Sequence, residues 1–258
     1  MTILVAILLG IVQGLTEFLP ISSSGHLVLL SQIFVLPENN ILFFILLHLA
    51  TLIAVIIVFN KAILDLIKHP LSRKTIMLIL ATVVTLILAL LFKNFFENAF
   101  SGVFLSVSFF VTAIFLLIAE WFGKHSKERK DIAFKSAFVM GLFQGFAILP
   151  GISRSGATIS SAIVQGIEKN KAAEFSFLMS IPIILISFIW ELLKIGESTV
   201  NIHLLPTIFG FLFALIFGII AIKIMLKVIQ KANYKYFSFY LIILSVILIL
   251  NQLVFNWF

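Results

Sequence analysis

Apolar residues in this chain come in blocks about as long as a bilayer-spanning helix, and polar residues gather at the joints between blocks. Crossing the hydrocarbon core takes roughly 20 consecutive apolar residues. Six segments have that length, at about 40–60, 75–92, 101–121, 172–194, 206–222 and 237–256. Two further regions, 2–36 and 134–166, are equally apolar but broken centrally. The breaks read Pro20-Ile21-Ser22-Ser23-Ser24-Gly25 and Pro150-Gly151-Ile152-Ser153-Arg154-Ser155-Gly156. Proline cannot donate an amide and pushes the preceding residue out of the helical region. Each break therefore predicts a turn between two half-helices, neither long enough to span alone. That is the pattern of a re-entrant or discontinuous helix pair.

The two breaks are copies of one another. Gly10-Ile11-Val12-Gln13-Gly14 returns 131 residues later as Gly141-Leu142-Phe143-Gln144-Gly145, and Ser22-x-Ser24-Gly25 returns at the same offset as Ser153-x-Ser155-Gly156. Shifting the first three spans by 131 lands them close to the last three. The chain reads as one membrane domain, 1–258, made of a duplicated unit: repeat one about 1–127 and repeat two about 132–258. Each unit is a broken hairpin followed by three spans. Three is odd, so the second copy must be inverted. The predicted fold is an all-α integral membrane protein with six transmembrane helices plus two re-entrant helix pairs in two inverted-topology repeats.

Composition agrees with this picture. Hydrophobic residues make up 62% of the 258 and charged residues 11%, with a mean hydropathy of +1.22. A soluble domain is about half apolar and about a quarter charged, so too little polar surface exists here to cover a water-exposed globule. With no cysteine there is no disulfide framework or thiolate metal site. The first residues lack a basic leader region and a small-residue cleavage site, so the N-terminus reads as part of the mature chain.

A net charge of +7 would suit nucleic acid, but its placement points elsewhere. Lys61, Lys68, Arg73 and Lys74 follow the first span; Lys124, Lys127, Arg129, Lys130 and Lys135 follow the third. Lys169 and Lys171 precede the fourth, and Lys223, Lys227, Lys231 and Lys235 follow the fifth. Only Lys93 and Lys194 fall on the opposite side, with Arg154 inside a break. The positive-inside rule then places both termini outside and the basic loops in the cytoplasm. The charge is topological, and no nucleic-acid partner is expected.

Polar groups at membrane depth are costly and mark function. They cluster at the breaks: Gln13, Glu17, Ser22, Ser23, Ser24 and His26 in the first; Ser153, Arg154, Ser155 and Thr158 in the second. A new half-helix starting at each break would present free amides and a positive dipole end, a ready anion site. Two such ends facing one another with one guanidinium could hold a diphosphate, since the planar fork of Arg bonds phosphate bidentately. Ser22 and Ser23 stand four and three residues before His26, so either can share its helix face, and Glu17 supplies a carboxylate. This set permits an activated serine nucleophile or a Glu17-bound divalent cation with His26 as acid or base. A lone Pro-Ser-Gly break could be only a kink; two breaks carrying Glu, His and Arg are more than that. The glycine pairs read as close-packing surfaces, His48 as a helix–helix hydrogen-bonder, and Glu174 and Glu191 as interfacial or packing groups. The 29 Phe residues carry no chemistry.

At these residues the sequence resembles the undecaprenyl-diphosphatase family, the bacitracin-resistance proteins. The matching stretches are Gln13-Gly14-Leu15-Thr16-Glu17-Phe18-Leu19-Pro20-Ile21-Ser22-Ser23-Ser24-Gly25-His26 and Leu149-Pro150-Gly151-Ile152-Ser153-Arg154-Ser155-Gly156-Ala157-Thr158, and the likeness extends through Glu174-Phe175-Ser176-Phe177. The resemblance implies a membrane hydrolase that cleaves undecaprenyl diphosphate to the monophosphate and inorganic phosphate, recycling the lipid carrier of cell-wall synthesis and giving bacitracin resistance. It places the family's Glu/Gln-x-x-x-Glu motif on Gln13 and Glu17, its phosphate-binding arginine on Arg154 with Ser153 and Thr158 beside it, and its nucleophile on Ser23 assisted by His26. A divalent cation, magnesium or calcium, at Glu17 is the expected cofactor. The bacterial inner membrane is the expected location, with the site facing the periplasm or exterior; a homodimer stays open. Another class of function is a transporter or flippase for a phosphorylated polyprenyl lipid, because inverted repeats with broken helices are also a transporter architecture. A non-catalytic scaffold would leave the buried polar set unexplained.

Overall fold

A computed structural model describes the chain apart from residues 37–40, 100–103, 126–129, 196–202, 231–232 and 256–258. Lys127, Arg129 and Lys231 lie outside the described residues, as do the side chains of Glu191 and Lys194. The first half runs α1 (Ile3–Phe18), α2 (Ser23–Ile33), α3 (Ile41–Val58), α4 (Asn60–Lys68), α5 (Arg73–Leu91), α6 (Lys93–Ala99) and α7 (Leu105–His125). The second runs α8 (Phe134–Phe146), α9 (Arg154–Val164), α10 (Lys169–Ile195), α11 (Leu204–Gln230) and α12 (Lys235–Leu250), which ends in a π-helical turn at Asn251–Phe255. Shifted by 131, α2 coincides with α9, and α1, α3, α5 and α7 begin within three residues of α8, α10, α11 and α12.

Five helices, α5, α7, α10, α11 and α12, are long and apolar enough to cross a membrane, and α3 with α4 makes a sixth candidate as a bent pair. Their outer faces suit lipid rather than water. Ile79, Val83, Ile87 and Leu90 on α5 and Ile243, Val246, Ile247 and Leu250 on α12 recur at helical spacing and are exposed. Such apolar stripes would be a liability on a soluble protein. The expected first span, 40–60, ends at Val58. The chain then bends by 80° into α4, where a loop was expected. Ala62, Ile63 and Leu66 pack against a buried cluster that includes Ala172 and Phe175, while Lys61, Asp65 and Lys68 stay exposed.

Two glycine-based contacts set the direction of the broken hairpins. A Cβ at Gly10 would lie 2.3 Å from Gly210 O, and one at Gly14 would lie 2.6 Å from Ala214 O and 2.8 Å from Gly218 N. The α1 and α11 backbones therefore run side by side in parallel, as small residues permit. The same happens between α8 and α5, where a Cβ at Gly141 would meet Ala81 O at 2.6 Å and one at Gly145 the Leu88 side chain at 2.5 Å. Both contact pairs thus join the first helix of one half to the same helix of the other.

The basic helix ends are tied together. Lys74 pairs with Glu174 at 2.5 Å, Arg73 stacks on Phe134, and Lys171 pairs with Asp131 and Glu168. Glu120 Oε2 accepts from Lys235 N at 2.6 Å, capping α12 from the end of α7. The starts of α5, α8, α10 and α12 and the end of α7 therefore share one end of the bundle. Since α5 starts there, α8 does too, whereas α1 starts beside Leu204 of α11, at the other end. The hairpins enter from opposite ends.

Candidate active site

Both breaks restart as helices in the same way. In the first, Ser22 caps α2 by accepting from Gly25 N at 3.3 Å; in the second, Ser153 caps α9 by accepting from Gly156 N at 3.0 Å. Serine suits this cap because its hydroxyl satisfies an amide that has no partner in the first helical turn. The first helical residues are then Ser23 and Arg154, which occupy equivalent positions of the two halves. The breaks touch: Ser155 Oγ donates to Leu19 O at 3.3 Å, and a Cβ at Gly25 would lie 2.8 Å from Gly151 Cα. Gly151, at φ +91°, adopts a backbone that side chains resist, so glycine is needed there twice over.

The two equivalent residues meet on one carboxylate. Glu17, buried near the end of α1, pairs through Oε1 with Arg154 Nη2. Its Oε2 accepts from Ser23 Oγ at 2.5 Å and from Gln13 Nε2 at 3.1 Å. Gln13 also reaches Thr51 Oγ1 at 3.5 Å. Duplication thus placed a hydroxyl and a guanidinium on either side of an acid that the second half lacks, where Ile148 stands. Arg154 Nη1 is buried without a hydrogen-bond partner. A buried donor left unpaired carries the full desolvation penalty, so this arm of the fork is poised for an anion.

The remaining expected residues divide. Ser22, Ser24, Ser153 and Ser155 lie at the breaks, with Ser22 Oγ 3.4 Å from Ser24 Oγ and Ser153 Oγ 3.3 Å from Ser155 Oγ. Thr158 turns away: its hydroxyl donates to Arg154 O at 2.8 Å and lies 2.6 Å from Ser176 Oγ, pinning α9 to α10. His26 does not touch Ser23. Its ring nitrogens lie on Ser22 O at 2.7 Å and the Tyr240 hydroxyl at 2.6 Å, so the group on Ser23 is Glu17.

His48, read from sequence as a helix–helix hydrogen-bonder, joins the site instead. Its Nδ1 is held by Phe44 O at 2.8 Å, leaving Nε2 3.9 Å from Glu17 Oε2. Thr51 and Tyr240 were not singled out from the sequence either. Thr51 lies one turn beyond His48 on α3 and its spacing could have suggested a shared face; nothing local pointed to Tyr240.

A family model described as bacitracin resistance protein BacA matches residues 6–247. Among curated proteins, an undecaprenyl-diphosphatase of Carboxydothermus hydrogenoformans is 45% identical over 251 residues, which cover 96% of each chain. One of Treponema denticola is 40% identical, covering 94% of each, and one of Methanobrevibacter smithii is 38% identical, covering 98% of this chain and 99% of the relative.

Proposed function

The chain belongs to the bacitracin resistance protein BacA family, and from that premise we propose that it hydrolyses undecaprenyl diphosphate to undecaprenyl monophosphate and inorganic phosphate. The observation that carries this reading is the buried Glu17 carboxylate held between Ser23 of its own hairpin and Arg154 of the other. In this reading the diphosphate sits between the N-termini of α2 and α9, where free amides and the unpaired Arg154 Nη1 bind its oxygens. Glu17 takes the Ser23 proton as Oγ attacks the terminal phosphorus. The bridging P–O bond breaks and the lipid monophosphate leaves with the bridging oxygen. Water then hydrolyses the phosphoserine, releasing inorganic phosphate and returning the serine proton.

A divalent cation, magnesium or calcium, fits the oxygen donors present. Glu17 is a hard carboxylate, and Gln13 Oε1 is buried without a hydrogen-bond partner. Magnesium commonly takes one or two carboxylates with substrate phosphates completing its shell. Among the described residues no group of three or more His, Cys, Asp or Glu side chains converges, so the lipid diphosphate itself would supply the other ligands. When bound, the cation neutralises phosphate charge. The same proposal covers topology: the paired hairpins are re-entrant, the halves are inverted repeats about a pseudo-two-fold axis, and the basic ends face the cytoplasm. The location is then the bacterial inner membrane, with α1, and the site it carries, entering from the periplasmic or outer side.

The test is phosphate release from undecaprenyl diphosphate by the purified protein in detergent, with and without chelator. One inorganic phosphate per lipid is expected. A transporter has no compartments in detergent, so a folded protein that binds the lipid without releasing phosphate would replace hydrolysis with transport.

A further inference from the structure

His26 is braced from the far end of the chain. The Ser22 carbonyl can only accept, so Nδ1, 2.7 Å away, carries the hydrogen. In the neutral ring Nε2 is then a bare acceptor, and the Tyr240 hydroxyl, at 2.6 Å, donates to it. The Tyr240 ring stacks on the imidazole with centroids 5.7 Å apart and planes at 11°, and Phe109 meets its other side edge-on at 5.3 Å and 69°. Phe109 on α7 and Tyr240 on α12 are themselves 131 residues apart. The two halves therefore enclose one histidine with equivalent aromatic positions, and only the second carries a hydroxyl.

The chain of hydrogen bonds ends on a special piece of backbone. Ser22 has φ +69° and ψ 101°, a conformation that a residue with a side chain adopts only when its surroundings impose it. Its carbonyl receives the His26 ring at 2.7 Å and the His26 amide at 3.3 Å. That carbonyl belongs to the peptide joining Ser22 to Ser23, whose hydroxyl lies on Glu17.

We propose that Tyr240 is a positioning residue for the reaction: its hydroxyl fixes His26 as the Nδ1–H tautomer, and His26 in turn holds the Ser22–Ser23 peptide so that the Ser23 hydroxyl meets Glu17. The consequence is that α12, which supplies none of the sequence-predicted site residues, completes the serine turn. The proposal rests on the hydrolase reading for its kinetic arm, but the tautomer can be observed without turnover.

The experiment combines kinetics and nitrogen NMR on the full chain in detergent. Tyr240→Phe keeps the stacked ring and removes only the hydroxyl. Its kcat for phosphate release should fall about tenfold, the scale of one net hydrogen bond, with KM within about twofold because the phosphate contacts are untouched. In a His26→Gln background the same change should cost less than about twofold, since the hydroxyl acts through the imidazole. In ¹⁵N-histidine spectra, with the His26 signals assigned by their loss in His26→Gln, the native ring should show a protonated Nδ1 and a hydrogen-bonded, unprotonated Nε2. Tyr240→Phe should shift the Nε2 signal. Native kcat in Tyr240→Phe, equal losses in both backgrounds, or an Nε2 signal indifferent to Tyr240→Phe would each overturn the proposal. If the native protein released no phosphate while the Nε2 signal moved as expected, the hydrolase reading would fail and the Tyr240–His26–Ser22 brace would stand.

Discussion

Glu17 is surrounded by groups that need its charge. Arg154, Ser23 and Gln13 all donate to its two oxygens, and His48 stands 3.9 Å away. An amide in its place would keep the shape but could neither take the serine proton nor hold a cation. Glu17→Gln should therefore lower single-turnover hydrolysis by at least ~100-fold, the low end for loss of a positioned base. Binding of the lipid diphosphate should persist, and removing a negative charge beside a polyanion should tighten it when no cation is added. Hydrolysis within about tenfold of native, a loss of only ~1.4 kcal/mol, would take the essential role away from Glu17. Arg154 has a different duty. One arm of its fork is on Glu17 and the other is buried and unpaired, so a lysine, with a single nitrogen, cannot serve both. Arg154→Lys should lose roughly 2–4 kcal/mol of transition-state stabilisation, as Arg154→Ala does. Near-native turnover in Arg154→Lys would mean that a point charge is enough.

Helices carry these residues only because their backbones approach closely. On α1, Ala6, Leu9, Gly10, Gln13, Gly14 and Glu17 are buried at helical spacing, so the stripe that packs on α11 is also the one that presents Gln13 and Glu17. At Gly14 even one methyl would meet backbone atoms of α11 at 2.6–2.8 Å, and backbone cannot swing aside. Gly14→Ala should cost about 1–3 kcal/mol, the usual penalty for overpacking. Gly123, near the end of α7, is a fair control, because a Cβ there meets only side-chain atoms of Ile163 and Lys169, at 3.4 Å or more. Gly123→Ala should be neutral or gain up to about 1 kcal/mol of helix propensity. Unfolding of both variants in detergent checks the contrast; equal effects would mean that the α1–α11 contact is not tight.

At the scale of the whole molecule, sidedness decides which compartment the chemistry serves. The tied basic ends lie at one end of the bundle, and α1 enters from the other. If the basic ends face the cytoplasm, the serine turn is reached from outside. The cysteine-free sequence allows a direct measurement. A single cysteine replacing the half-buried Ser24 should react with an impermeant thiol reagent added to intact cells, and one replacing the exposed Lys130 only after the membrane is opened. Labelling of Ser24→Cys solely from the cytoplasmic side would reverse the orientation and the proposed outward-facing site with it.

The amino-acid sequence by itself determined the helical spans, the two breaks, the 131-residue duplication and the choice of Glu17, Ser23 and Arg154 as candidate chemistry. All of these follow from a local rule: a segment in lipid must be apolar and hydrogen-bonded within itself, so its length, its interruptions and its polar exceptions stand out in the sequence. The α4 helix was less visible because nine residues mixing Lys, Asp and apolar positions also read as a basic loop. Only the tertiary structure decided how the polar residues pair. It put Ser23 on Glu17 rather than on His26, turned Thr158 onto Ser176, and brought His48, Thr51 and Tyr240 to the site. Gln13 and Thr51 are 38 residues apart and His26 and Tyr240 are 214 apart, and no periodicity links such positions. Their partners are set by which helix faces pack together, where a few glycines let backbones touch and one strained serine turns the chain.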